Sequence, residues 1–206
     1  MTIKAILTSL KGVELPYERR RTAETLSREV FLPQDTDEID HILHGPEGLE
    51  LLHRLESGAM IDEEYMHALE TRLGTPLPRN LFWPAHCDVF TEPNHALMGH
   101  WRGIAERGMP VVAITDSDPY ALSTMLGLIT FPVARVMASC YEGTRKPDER
   151  IYRHALELLK MRPAECFYVD DVEANAMAAA RLGIWSHHYR TLPLLEEELR
   201  GLNLIT

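Results

Sequence analysis

The feature that most constrains the fold is the alternation that begins after Asn94. A helix-period stretch runs to Gly108, followed by the apolar run Val111 to Ile114, a helix near Pro119 to Leu126 and a second run, Ala134 to Ala138. A helix from Asp148 to Lys160, the strand Cys166 to Val169, a helix from about Val172 to Leu182, the short strand Ile184 to His187 and a final helix ending near Leu202 complete the series. Apolar runs of strand length separated by amphipathic helices predict βαβ units, hence a parallel sheet with helices on both faces. Ile3 to Leu10 is a further apolar segment closed by the turn Lys11-Gly12, and it reads as a strand of the same sheet.

Between these parts the character changes. From Tyr17 to about Phe90 the chain is charged, helix-periodic and broken by Pro33, Gly45-Pro46, Gly58, Gly74 and the Pro76/Pro78 pair, which predicts a helical block without strands. Ile61-Asp62-Glu63-Glu64-Tyr65 starts a helix well, because acidic groups in the first turn complement the helix dipole, and Met66, Leu69 and Leu73 give it an apolar face. The expected architecture is α/β: a Rossmann-like doubly wound parallel sheet made of residues 1–15 and 91–206, with a small helical domain, residues 16–90, inserted between.

Composition narrows the function classes. The formal net charge is -10, from 31 acidic and 21 basic side chains, which would repel a phosphate backbone, so no nucleic-acid partner is expected. No run of about 18 apolar residues and no signal-peptide pattern is found, so no membrane partner is expected and the reading is cytoplasmic. Cys87, Cys140 and Cys166 are odd in number and without CxxC spacing, which argues for reduced thiols rather than a disulfide framework or zinc site.

Ligands of open parallel sheets bind at the carboxyl ends of the strands, so the residues there carry the functional reading. They are Thr8-Ser9-Leu10-Lys11-Gly12, Thr115-Asp116, Lys146-Pro147-Asp148 and Asp170-Asp171. Thr115, Asp116 and Lys146 suit an anion or phosphate, through a hydroxyl donor and an ammonium with three donors. Asp170 and Asp171 form a carboxylate pair of the kind that holds magnesium, or that a lysine can neutralise. Asn175 is expected to cap or brace the following helix, and Asp116-Ser117-Asp118 to double as the cap of the helix near Pro119. Trp83, His86 and Phe90 read as core, with a substrate pocket as the alternative.

Ile3-Lys4-Ala5-Ile6-Leu7, Thr115, Gly143-Thr144-Arg145-Lys146-Pro147-Asp148 and Tyr168-Val169-Asp170-Asp171-Val172-Glu173-Ala174-Asn175 together resemble the four successive motifs of haloacid dehalogenase (HAD) hydrolases. The likeness is to the branch with a helical cap after the first strand, and Ser57-Gly58 with Ile61 to Tyr65 is similar to its cap segment. The resemblance implies a phosphatase-like mechanism in which an aspartate ending the first strand attacks phosphorus and magnesium neutralises charge. That aspartate falls on Ser9, and Lys11 stands where an acid-base aspartate or a glycine is usual.

The two changes shift local charge by about two units, and charges roughly 4 Å apart interact by about 4 kcal/mol at an effective dielectric near 20. Magnesium affinity is therefore expected to be weak or lost, with Lys11 or Lys146 pairing with Asp170 or Asp171 in the metal's place. Ser9 with Lys11 as a serine-lysine nucleophile is disfavoured, because a phosphoserine ester is far more inert than an acyl phosphate. The resulting expectation is a catalytically impaired HAD-like homologue, a pseudoenzyme that binds a phosphorylated or anionic small molecule or a protein partner. The alternatives are an active magnesium-dependent phosphatase and a structural homodimer without a ligand.

Overall fold

The computed structural model describes residues 2–30 and 32–206; Met1 and Phe31, within the expected sheet and helical segments, lie outside the described residues. The chain opens with β1 (Ala5–Thr8), then α1 (Arg20–Glu29), α2 (Thr36–His44), α3 (Pro46–Glu56), α4 (Asp62–Leu73) and α5 (Arg79–Cys87). It continues through α6 (His95–Glu106), β2 (Val111–Thr115), α7 (Pro119–Leu128), β3 (Arg135–Ala138) and the short α8 (Ser139–Glu142). It closes with α9 (Glu149–Leu159), β4 (Cys166–Asp170), α10 (Glu173–Arg181), β5 (Trp185–His188) and α11 (Leu192–Gly201).

The five strands form one sheet in the order β3-β2-β1-β4-β5, and every pairing is parallel. β1, β2 and β4 are buried along their whole length, as continuous apolar runs should be when helices cover both faces. Alternation sorts their side chains. Ile6, Val111, Ala113, Phe167 and Val169 face a cluster with Trp101 of α6, Met125 of α7 and Leu195 and Leu199 of α11. Leu7, Val112, Ile114 and Tyr168 face the other way, onto Tyr152 and Ala155 of α9 and Ala178 of α10. The sheet is doubly wound.

Helices α1 to α5 bury a separate cluster, including Leu26, Leu43, Tyr65, Leu69, Phe82 and Trp83. The expected apolar face of α4 is present: Met66, Leu69 and Leu73 are buried, together with Tyr65. The expected absence of strands in this block needs one qualification, an isolated antiparallel bridge between Tyr17 and Phe90 that joins its two ends. Among the described residues no helix is long and apolar enough to cross a membrane, and the three cysteines are free thiols.

Because β1 lies between β2 and β4, the loops after these three strands open side by side at one edge of the sheet. After β1 the chain turns sharply, with Leu15 N donating to Leu10 O at 2.9 Å and Gly12 N to Leu15 O at 3.0 Å. That turn leads into the helical block, so the block sits over the strand ends.

Candidate anion site at the strand ends

A crevice of about 200 Å³ opens at these loops, lined by Ser9 and Lys11 after β1, Asp116 after β2, Arg145 and Lys146 before α9, and Asp171 and Asn175 after β4. Arg19, just before α1, reaches it from the helical side. Four cationic side chains, Lys11, Arg19, Arg145 and Lys146, thus line the crevice against the two carboxylates of Asp116 and Asp171. Behind that lining, Asp170 pairs with Lys146, and Glu56 with Lys11 and Arg145, so Arg19 is the one lining cation without an ion pair among the described residues.

Lys146 is at the centre. Its Nζ donates to Ser9 Oγ at 2.8 Å and to Asp170 Oδ2 at 2.7 Å, and the side chain is almost fully buried. Burial alone would lower its pKa, but the charge of Asp170, then that of Asp116, outweighs burial and holds the ammonium above its ordinary range. Ser9 Oγ in turn donates to the Lys11 carbonyl at 3.0 Å, so the hydroxyl is engaged both as donor and as acceptor. A lysine that stays protonated cannot take the proton of Ser9.

Asp170 has no oxygen to spare. Oδ2 accepts from Lys146 and from the Tyr168 hydroxyl, and Oδ1 accepts from Val172 N at 2.8 Å and Asn175 Nδ2 at 3.0 Å. Burial pushes its pKa up, yet Lys146 more than compensates and the carboxylate is held below its ordinary range. Asn175 therefore reaches back from α10 to the strand end rather than bracing the helix alone. Asp171 differs. Its carboxylate lies in the space that a side chain at position 12 would fill, since a Cβ on Gly12 would stand 2.1 Å from Asp171 Oδ2. Gly12 also has φ of +90°, so glycine is required there twice over. Burial raises the Asp171 pKa.

Of the two lysines expected to neutralise the carboxylate pair, Lys146 is the one that does so, on Asp170. Lys11 pairs with neither Asp170 nor Asp171: its Nζ donates to Glu56 Oε1 at 2.7 Å, because the turn after β1 points it toward the end of α3. Thr115 is fully buried and its hydroxyl meets Met125 Sδ at 3.8 Å, away from the crevice, since period-two alternation places it on the face of Val111 and Ala113. Asp116 lines the crevice, as expected from its strand-end position, and its carboxylate braces the loop before α9. Its Oδ1 accepts from Lys146 N at 3.0 Å, its Oδ2 stands 3.6 Å from Arg145, and burial raises its pKa. The expected helix cap is Asp118, whose Oδ1 accepts from Tyr120 N and Ala121 N.

Glu56 and Arg19 were not foreseen as site residues. Glu56 is buried between Lys11 and Arg145, the latter at 3.2 Å, and those two cations hold its carboxylate below the ordinary range although burial opposes this. Arg19 stacks over the Tyr17 ring at 5.3 Å and makes no ion pair among the described residues. Ser57-Gly58, next to Glu56, was the nearest sequence signal; the run Glu18-Arg19-Arg20-Arg21 gave none.

The haloacid dehalogenase-like hydrolase profile matches residues 58–183, more than half of the chain. The chain belongs to this family. Among curated relatives, the acyl-CoA dehydrogenase family member 10 of Mus musculus is 45% identical over 49 residues, 24% of this chain and 5% of that protein. The sesquiterpene phosphatase astK of Aspergillus oryzae is 40% identical over 67 residues, 32% of this HAD chain and 34% of that one. The match therefore spans about a third or less of either relative.

Solved structures share the fold over nearly the whole length. A HAD-like family hydrolase from Porphyromonas gingivalis superposes with a TM-score of 0.77 at 24% identity, covering 97% of this chain and 99% of that chain. A HAD family enzyme from Bacteroides thetaiotaomicron, in complex with magnesium and inorganic phosphate, does so with a TM-score of 0.77 at 18% identity, covering 94% and 98%.

Proposed function

We propose that this HAD-family chain binds a small phosphorylated or otherwise dianionic compound without a metal, and that hydrolysis through a carboxylate at the end of β1 has been lost. The observation that carries the reading is the placement of the Lys146 ammonium between Ser9 Oγ and Asp170 Oδ2, at 2.8 and 2.7 Å. A fixed positive charge there supplies an anion with what a divalent ion would otherwise supply.

The donor set does not fit magnesium. A compact octahedral ion needs free carboxylate oxygens, and all four hydrogen-bonding positions described for Asp170 are taken, while Ser9 offers a hydroxyl already bonded to Lys146 and Lys11. Of the carboxylates lining the crevice that leaves Asp171, beside an ammonium, and Asp116, whose Oδ1 accepts from Lys146 N and whose Oδ2 faces Arg145. No chemical step is therefore routed through a metal. The ligand's anionic group would meet Lys146, Arg145 and Arg19, with Ser9 as a neutral neighbour. Ser9 supports binding rather than attack, because among the described residues its hydroxyl meets the Lys11 carbonyl and the Lys146 ammonium, neither of which is a base for its proton.

The names of the curated relatives, phosphatase among them, make hydrolysis the competing reading. A panel of phosphomonoesters with magnesium separates the two, using the unmodified protein, Ser9→Asp/Lys11→Gly and Asp170→Asn. Silence from the unmodified protein and turnover by the double variant is the expected result. Turnover by the unmodified protein that Asp170→Asn abolishes would overturn the proposal and require a substitute nucleophile.

A further inference from the structure

A smaller cavity, about 30 Å³, lies beside the crevice on the side of the helical insertion and shares Lys11, Tyr17 and Arg19 with it. That volume accommodates one or two water-sized groups and excludes an aromatic ring. Leu52, Val89, Phe90 and Ala121 give it apolar walls.

Most of its polar side chains are already satisfied. Glu56 is held by Lys11 and Arg145, His86 Nε2 meets Asp118 Oδ2 at 2.8 Å, and His44 Nδ1 meets Asp40 Oδ1 at 2.8 Å. Among the buried ones, Thr22 is the exception. It lines the cavity from α1, is 1% exposed, and its Oγ1 has no hydrogen-bond partner among the described residues. A buried hydroxyl is rarely left unbonded, and one bordering a cavity next to an anion site is satisfied when a ligand brings its own polar group.

Building on the proposed anion site, we infer that this cavity receives the uncharged end of the ligand, and that Thr22 hydrogen-bonds a hydroxyl carried there. The substrate class is thereby narrowed to short hydroxyalkyl phosphates, with the phosphate at Lys146 and the carbon chain against the apolar walls. Thr22 acts as a specificity determinant: its methyl shapes the wall and its hydroxyl reads the ligand.

The test is calorimetric binding of inorganic phosphate, ethyl phosphate and 2-hydroxyethyl phosphate to the unmodified protein, Thr22→Val and Thr22→Ser. The hydroxylated ester should bind about tenfold more tightly than ethyl phosphate to the unmodified protein, the order expected of one hydrogen bond to a buried group. Thr22→Val, equal in shape, should abolish that ratio without changing the affinity for inorganic phosphate, and Thr22→Ser should keep it. Equal binding of the two esters by the unmodified protein, or a ratio that survives Thr22→Val, overturns the inference while leaving the anion site standing. Failure of inorganic phosphate to bind the unmodified protein overturns the anion site itself, and this inference with it.

Discussion

Lys11 and Glu56 meet at 2.7 Å across the boundary between the parallel sheet and the helical insertion, with the Glu56 side chain 4% exposed and Lys11 18%. Arg145 approaches the same carboxylate at 3.2 Å. One buried anion thus ties two crevice cations to the end of α3, and the carboxylate competes with any incoming anion for both.

Glu56→Gln keeps the shape and removes the charge, leaving Lys11 and Arg145 facing each other. Breaking a fully buried pair costs about 3–5 kcal/mol, and discounting for the partial exposure of both cations gives about 2 kcal/mol here. Urea unfolding should show that loss, and phosphate should stabilise the variant more than the unmodified protein, because it replaces the missing charge. No change in midpoint would mean that the pair contributes nothing to stability.

Lys146 and Asp170 are both almost fully buried, at 4% and 0% side-chain exposure, so removing either charge strands the other. Asp170→Asn should destabilise by about 3–5 kcal/mol. Combining it with Lys146→Met should cost clearly less than the sum of the single changes, a coupling that a double-mutant cycle in denaturant reads directly. Additive losses would contradict a shared ion pair.

Glu14 gives the pH dependence. It is fully buried, Thr8 Oγ1 and Trp101 Nε1 donate to its Oε1 at 2.5 and 2.6 Å, and burial pushes its pKa from 4.5 up to about 8. The folded chain therefore holds a proton that the unfolded chain gives up. Its stabilising contribution is complete below about pH 4.5 and is lost as pH rises through about 8, an upper bound of about 5 kcal/mol at 1.36 kcal/mol per pKa unit. Glu14→Gln should flatten the decline of melting temperature across that window. An unaltered pH profile would show that Glu14 is already ionised in the fold.

The sheet was legible because its central strands are buried on both faces, so Val111 to Ile114 and Cys166 to Val169 stand out as apolar runs between helices of clear period. The neutralisation of Asp170 by a lysine was legible for a related reason: both residues end strands or open loops on the same sheet edge, and adjacent carboxylates need a cation. The partner of Lys11 was not. Glu56 lies 45 residues away on a helix whose approach to the sheet depends on packing between two clusters, and residue spacing carries no record of that. Thr115 lies off the crevice for a local reason. Its position at a strand end was readable, but the face to which it turns follows from register, and the alternation puts it with Ala113 against Met125.

The most direct test of metal-free anion binding is calorimetric titration of the unmodified protein with inorganic phosphate, once in excess chelator and once in millimolar magnesium. Dissociation constants that agree within about twofold are expected, because Lys146, Arg145 and Arg19 carry the charge that a divalent ion would supply. Binding that appears only with magnesium would contradict it.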